Sequence, residues 1–214
     1  MAKTGFKIFG HLVIKYLPEL VGNVDNGEIV WEEVTVGALA AQLPGTGGFW
    51  KFSFLNFIEF ARVLITSSHR PFQTRCAMHT ACSHVFKTVL NSDVGFGVLG
   101  RVLERLTNQT YDEALKSVLG APLGLSSTST IMPPSEGPNT LALPRNEIQS
   151  GIGHSGGVYP NARDLRALGL SILQSKLLSG AQARQWMKPH VHTSSLTGSV
   201  GAPWEIYQLA LPVS

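Results

Sequence analysis

The stretch "NSDVGFGVLGRVLERLTNQTYDEALKSVLGAPLGLSSTS", residues 91–129, carries the strongest secondary-structure pattern in this 214-residue chain. Apolar side chains recur there at spacings of three and four, the period of a helix with one buried face; they are Phe96, Leu99, Val102, Leu103 and Leu106. The polar run "TNQT" at 107–110 breaks this pattern, and a second helix is predicted from Tyr111 to the "GAPLG" at 120–124. The stretch therefore predicts two successive helices.

Three small polar residues, Asn91, Ser92 and Asp93, stand directly before the first of these helices. Side chains of these types accept hydrogen bonds from the unpaired backbone amides at a helix start. On spacing alone we interpret the trio as a helix cap, and a role in catalysis is the alternative.

Composition and charge exclude several classes of protein. The chain is 43% hydrophobic and 14% charged, which is typical of a globular protein of about one domain. The net charge is only +3 and no dense block of Lys or Arg occurs, so we predict no nucleic-acid partner. The most apolar segment, 49–65, includes Lys51, Glu59 and Arg62, too many charges for a membrane span. No cofactor is predicted.

The first twenty residues, "MAKTGFKIFGHLVIKYLPEL", are a poor match to a signal peptide because Gly10, His11 and Lys15 interrupt the apolar runs. A cytoplasmic location is therefore the default expectation. The triplet Asn108-Gln109-Thr110 fits the pattern of an N-glycosylation acceptor. Such triplets also arise often by chance, so this one does not decide the compartment.

A cluster of sulfur and imidazole side chains lies in "CAMHTACSH", residues 76–84: Cys76, His79, Cys82 and His84. These ligand types suit zinc. Their spacing is not that of a known zinc finger, and residues so close would need a tight loop to surround a metal. We therefore interpret them as ordinary thiols and histidines, with a zinc site as the alternative.

Shorter helices are predicted on both sides of residues 91–129. Thr35 caps one of them, which "PGTGG" at 44–48 stops. Asn161 caps another, and its large apolar side chains are expected to face a core: Leu165, Leu168, Ile172 and Leu173. A last helix ends before Pro189. Nothing after residue 200 is long enough to build a large sheet.

Residues 91–129 resemble a segment of the class C beta-lactamase-type serine hydrolases and their esterase and transacylase relatives. In that family Tyr-Ser-Asn or Tyr-Ala-Asn precedes Gly-Tyr/Phe-x-x-Leu-Gly, and Pro-Leu-Gly-Met/Leu-x-x-Thr-Ser follows. Three further segments resemble the same domain in the same order: "KYLPEL" at 15–20, "EVTVGALAAQLPGTGG" at 33–48 and "SGGVYPNARDLRALGLSIL" at 155–173. The matching segments lie within 12–48 and 85–207, whereas 49–84 is unmatched and reads as an insertion or a misread stretch.

The resemblance implies an α+β fold of the beta-lactamase/transpeptidase-like type. Residues 1–214 would be a partial domain of this kind, mainly its helical lobe with an incomplete sheet, and the pattern is closest to fungal members. The resemblance also implies a serine nucleophile in a Ser-x-x-Lys box, activated by that Lys and by the Tyr of a second box. A third box, Lys-Thr-Gly or His-x-Gly, would lie on a strand. Such machinery acts on an ester or amide of a small molecule.

The sequence departs from this pattern at every box. No Ser-x-x-Lys occurs, and the nearest approach, Thr4-Gly5-Phe6-Lys7, lies too close to 15–20 to hold the nucleophile helix. Asn91 occupies the place of the Tyr and Asp93 that of the Asn in the second box. An amide cannot act as a general base, and the loss of one typically costs roughly 10²- to 10⁴-fold in rate.

Two tripeptides have the letters of the third box. Lys3-Thr4-Gly5 stands at the wrong end of the chain. His154-Ser155-Gly156 runs directly into the helix predicted after Asn161, whereas the family's third box lies on a strand followed by another strand. We therefore interpret His154 as part of a glycine turn, and a catalytic role for it is the weaker alternative.

Two functional hypotheses follow from the sequence. The first is an active hydrolase or acyl-transfer enzyme, supported by the family segments. The second, which we favour for activity, is a truncated or misread remnant that keeps the helical lobe and offers a binding surface. A helical lobe without its sheet leaves apolar faces uncovered, so self-association and poor solubility are expected.

Overall fold

The computed structural model describes residues 5–21, 29–44, 89, 92–130 and 158–208. Its helices are α1 (Val36–Ala40), α2 (Asp93–Thr107), α3 (Tyr111–Leu115), α4 (Ala121–Leu123), α5 (Ala162–Leu173) and α6 (Gly180–Trp186). Its strands are β1 (Val191–His192), β2 (Gly198–Val200) and β3 (Glu205–Tyr207). A π turn over Lys116–Gly120 joins α3 to α4, and 3₁₀ turns cover Gly5–Ile8, Val13–Lys15, Pro18–Leu20 and Trp31–Glu33.

Two separate parts of the chain pair side by side to begin the core. The backbone N–H of Val13 donates to the carbonyl of Val34 at 2.8 Å, and that of Val36 donates to the carbonyl of His11 at 3.0 Å. The side chains around this pairing form one buried cluster: Val13, Leu17, Leu20, Ile29, Trp31, Val34, Val36, Leu39, Val98 and Val102. Residues 15–20 and 33–44 therefore share one core with α2.

Helix α2 confirms the helix predicted from the apolar period. Its most buried apolar side chains are Val98 and Val102, which lie one turn apart on the face toward the core. The helix ends at Thr107, and Asn108 follows in the left-handed conformation with φ of 52°. Asn is one of the few residues other than Gly that adopt this conformation readily, which explains why "TNQT" stops the helix.

Helix α3 confirms the second predicted helix. Thr110 and Glu113 form a capping box in which the Thr110 backbone N–H donates to Glu113 Oε2 at 2.9 Å. The chain continues through the π turn into α4, which ends at Gly124 with φ of 67°. Helix α3 itself ends at Leu115, and the helical run that continues through the π turn and α4 ends at the "GAPLG" that was expected to stop it.

Helix α5 starts where predicted, and the prediction of its buried face is half right. Asn161 caps it, since the Asn161 side chain accepts a hydrogen bond from the Asp164 backbone N–H at 2.7 Å. Of the four apolar residues expected to face a core, Leu168 and Ile172 are half-buried. The prediction was wrong for Leu165 and Leu173, which are 54% and 74% exposed. The most buried residues of the helix are Asp164 and Ser171, because the Asp164 carboxylate accepts hydrogen bonds from the chain after α4.

The described strands form one small antiparallel sheet in the order β1-β2-β3. Val191 pairs with Val200, and Ser199 pairs with Ile206. None of the described strands is longer than three residues. The described part of the chain is thus rich in helix and carries a small, incomplete sheet, as the sequence predicted.

Two tryptophans join this sheet to α6. The rings of Trp186 and Trp204 meet edge to face with centroids 4.9 Å apart, and Trp186 Nε1 donates to the carbonyl of Ala202 at 2.5 Å.

Among the described residues, no helix combines the length and apolar character needed to cross a membrane.

Candidate functional site

Ser92 is the residue of the predicted second box whose side chain the structure describes. Its hydroxyl oxygen accepts a hydrogen bond from the backbone N–H of Gly95 at 3.0 Å, which makes Ser92 the cap of α2. The residue is only 2% exposed. Asn91 lies outside the described residues, and Asp93 enters the description as the first residue of α2.

A second contact holds Ser92 against the chain that follows α1. Its backbone N–H donates to Gln42 Oε1 at 2.9 Å, and Gln42 itself has a positive φ of 62°. Close packing continues at Gly95, where an added Cβ would lie 3.4 Å from Pro44 Cγ. The start of α2 thus packs on residues 42–44 through the hydrogen bond from Ser92 to Gln42 and through the close approach of Gly95 to Pro44.

This geometry suits capping better than nucleophilic catalysis. An activated serine must present its hydroxyl to a substrate and deliver its proton to a neighbouring base. The Ser92 hydroxyl is instead buried and directed at the first turn of its own helix. In the described structure, Ser92 therefore stabilises a helix start at the position predicted to correspond to the family's second box.

Replacing Ser92 with alanine is expected to lower the free energy of unfolding by about 1 kcal/mol, the usual cost of losing a helix cap. Asp and Thr also cap helices, so Ser92→Asp and Ser92→Thr test whether the loss comes from capping. Urea denaturation followed by circular dichroism measures the change. An equal loss in all three variants would show that the capping bond does not matter and that packing alone accounts for the effect.

A second polar cluster joins the chain after α4 to the start of α5. Asp164 is 1% exposed, and its Oδ2 accepts hydrogen bonds from the Ser127 backbone N–H and from Thr128 Oγ1, both at 2.9 Å. Its Oδ1 is buried and, in the part of the chain described, has no hydrogen-bond partner. Hydrogen bonds to a charged acceptor are stronger than neutral ones, so Asp164 is the main link between these segments.

Two neighbouring contacts fix the residues that follow Ser127 and Thr128, one to the chain before α5 and the other to α3. Ser129 and Tyr159 form an isolated antiparallel bridge, with the Tyr159 N–H donating to the Ser129 carbonyl at 2.8 Å. Thr130 Oγ1 donates to Asp112 Oδ1 at 2.8 Å. The Lys116 ammonium and the Thr130 hydroxyl hold the pKa of the Asp112 carboxyl below its ordinary value, because their hydrogen bonds favour the charged form.

Asp164 is not among the site residues predicted from the sequence. Its signal is the spacing Asn161-x-x-Asp164, which places an acidic side chain in the first turn of a capped helix. That position alone predicts an exposed carboxylate at the helix start. Its hydrogen-bond partners Ser127 and Thr128 lie 37 and 36 residues earlier in the chain.

Tyrosine is the residue type that the family uses as a base, and the pKa of one described tyrosine is shifted. Burial raises the pKa of the Tyr111 phenol above its ordinary value, which keeps the phenol protonated near neutral pH. Its backbone N–H donates to Glu104 Oε1 at 2.9 Å. Tyr111 thus has the opposite shift from the one that a general base requires.

The remaining candidates from the sequence cannot be placed. His154 lies outside the described residues, and so does the cysteine and histidine cluster: Cys76, His79, Cys82 and His84. Within the ranges that are described, no three His, Cys, Asp or Glu residues form a group able to hold a metal ion. The zinc alternative and the turn interpretation of His154 stay predictions.

The fold is that of the beta-lactamase and transpeptidase-like proteins. A D-stereospecific amidohydrolase from a Streptomyces species superposes with a TM-score of 0.65 at 20% identity, over 91% of this chain and 62% of that protein. A beta-lactamase/D-alanine carboxypeptidase from Pseudomonas syringae superposes with a TM-score of 0.65 at 18% identity, over 100% of this chain and 57% of that protein. These likenesses confirm the fold expected from the sequence.

The sequence profile of the beta-lactamase family matches residues 87–213, and the chain belongs to this family. The beta-lactamase-like protein of Arthroderma benhamiae is 26% identical over 223 residues, which cover 91% of this chain and 36% of that protein. The probable hydrolase M10 of a Phoma species is 31% identical over 129 residues, covering 58% of this chain and 21% of that protein.

Both relatives are fungal, in agreement with the sequence-based expectation. The chain spans about a third of the length of the first relative and about a fifth of the second. Residues 49–84 lie outside the described residues, so their interpretation as an insertion or a misread stretch stays a prediction.

Proposed function

We propose that these 214 residues form a beta-lactamase-family protein that has no serine-hydrolase activity of its own. The observation that carries the proposal is the absence of any Ser-x-x-Lys from the sequence. Without that box there is no serine with a lysine one helical turn away to accept its proton, and a covalent acyl intermediate has no nucleophile to form on.

The second box supports the same proposal. Asn91 stands where the family has its Tyr, and an amide side chain does not titrate in the range where a general base must act. The adjacent Ser92 is buried and caps α2. Ser92 stabilises the start of α2, and the helical lobe would then serve as a binding or interaction module.

An active hydrolase or transacylase in secondary metabolism, acting on a small-molecule ester or amide, is the second candidate. The observation in its favour is the similarity to the Phoma protein, which is named as a probable hydrolase. One protein of similar fold, with a TM-score of 0.67 and 17% identity, is described as a hydrolase with promiscuous acyltransferase activity. For this chain to act in the same way, a serine outside the family's first box would have to be the nucleophile.

Covalent labelling separates the two candidates. We expect the purified chain to show no mass increase after incubation with a fluorophosphonate, and no colour change with a chromogenic beta-lactam, because both need an activated serine. Intact mass spectrometry reads the first experiment and absorbance the second. An active class C beta-lactamase treated in parallel is the positive control. One fluorophosphonate per chain, mapped to any serine, would contradict the proposal and favour the hydrolase.

A further inference from the structure

Residues Asn108-Gln109-Thr110 form the only Asn-x-Ser/Thr triplet in the sequence, and the structure places them between α2 and α3. All three residues are exposed. We propose that Asn108 is an acceptor for N-linked glycosylation when the chain passes through the endoplasmic reticulum. The proposal is independent of hydrolase activity, because it concerns a surface turn at the opposite end of α2 from Ser92.

The conformation of the turn leaves room for a bulky group at Asn108. In the last turn of α2, before Asn108, Thr107 Oγ1 donates a hydrogen bond to the Leu103 carbonyl at 2.8 Å. Asn108 then adopts the left-handed conformation that ends α2. A glycan is large and hydrated and needs such a surface position, and the turn provides it without disturbing either helix.

The threonine of the triplet has a structural role once the chain is folded. Thr110 Oγ1 donates to Glu113 Oε2 at 2.9 Å within the capping box of α3. Recognition of the triplet depends on this hydroxyl, so transfer takes place before α3 forms. After folding, the same hydroxyl stabilises the helix start beside the modified asparagine.

The transfer is a substitution at the sugar and involves no oxidation or reduction. The donor is an oligosaccharide linked through a diphosphate to a polyisoprenoid lipid. The Asn108 side-chain nitrogen forms a bond to the anomeric carbon of the first sugar. The bond from that carbon to the diphosphate oxygen breaks, and the lipid diphosphate leaves with the electron pair. The amide nitrogen loses one of its two protons to a base of the transferase.

The surroundings of the turn give the modification a physical consequence. Leu106 and Val118 are large apolar side chains that remain exposed. Both lie near the triplet: Leu106 is two residues before Asn108, and Ser117, next to Val118, donates to Gln109 Oε1 at 2.9 Å. A hydrated glycan at Asn108 would screen these two side chains from contact with other molecules.

The test uses the full chain, directed to the secretory pathway of a filamentous fungus by an added leader, and compares intact masses with and without peptide-N-glycosidase. We expect the wild type to carry a glycan that the enzyme removes. Asn108→Asp keeps a residue that tolerates the left-handed conformation and should carry none. Thr110→Ser keeps both the triplet and the cap and should be glycosylated, whereas Thr110→Asp keeps only the cap and should not.

The variants separate glycosylation from helix stability. Thr110→Ser and Thr110→Asp both retain a capping side chain, so a difference between their masses reports the triplet and not the fold. Wild type of unmodified mass, or a glycan that persists in Asn108→Asp, would overturn the proposal. A glycosylated Thr110→Asp would overturn it as well.

Discussion

The replacement of Trp31 by alanine is expected to lower the free energy of unfolding by about 4 kcal/mol, the range usual for truncating a large buried aromatic side chain. Trp31 is fully buried, and its cluster joins the pairing of residues 11–13 with 34–36 to helix α2. The cavity left behind would open at the junction of all three segments. Urea denaturation measured by circular dichroism gives the change.

The variant Trp31→Phe keeps the experiment informative if the alanine variant fails to fold. Phenylalanine fills most of the volume and removes the indole Nε1, which is buried and has no hydrogen-bond partner in the described part of the chain. Leaving such a donor unpaired costs about 1–3 kcal/mol, and its removal offsets part of the lost packing. A loss for Trp31→Phe as large as for Trp31→Ala would contradict this account.

The replacement of Asp164 by alanine is expected to cost about 3 kcal/mol. It removes two hydrogen bonds to a charged acceptor, each of which contributes about 1.5–3 kcal/mol, and leaves the Ser127 N–H and the Thr128 hydroxyl without their acceptor. Part of the loss is offset because the substitution also removes Asp164 Oδ1, which is buried and has no hydrogen-bond partner in the described part of the chain. Thermal or urea unfolding of the purified variant measures the effect.

A matched control comes from an exposed carboxylate of the same chain. Glu33 is exposed at the end of a 3₁₀ turn, and Glu33→Ala should change stability by less than about 0.5 kcal/mol, as is usual for surface substitutions. Asp164→Asn keeps the shape and one acceptor oxygen, so we expect an intermediate loss. Equal stabilities for Asp164→Ala and Glu33→Ala would show that the buried link does not hold the two segments together.

Local sequence features predicted the helices because their causes are local. The capping residues Thr35 and Asn161 accept hydrogen bonds from backbone groups a few residues away. The three- and four-residue apolar spacing in α2 marks the face that packs on a core, and its period is set by the helix itself. The left-handed Asn108 that ends α2 is equally local. Each of these features lies within a short stretch of chain and could therefore be identified in the sequence.

The orientation of α5 could not be predicted in this way. An apolar period places Leu165 and Leu173 inward, and both are exposed. The side chain that is buried on this helix is Asp164, which accepts hydrogen bonds from residues 127 and 128. Partners separated by so many residues leave no mark in a periodic pattern, so the apolar period cannot reveal this contact.

At the candidate site too, local sequence features predicted one part and contacts between distant segments decided the other. By itself the sequence determined the family and the helical segments, because both depend on residue identity and local spacing. For Ser92 it allowed both a cap and a catalytic role. Only the tertiary structure decided for the cap, since the burial of Ser92 and its bond to Gln42 arise where α2 docks on residues 42–44. Such contacts exist only after distant segments have packed together.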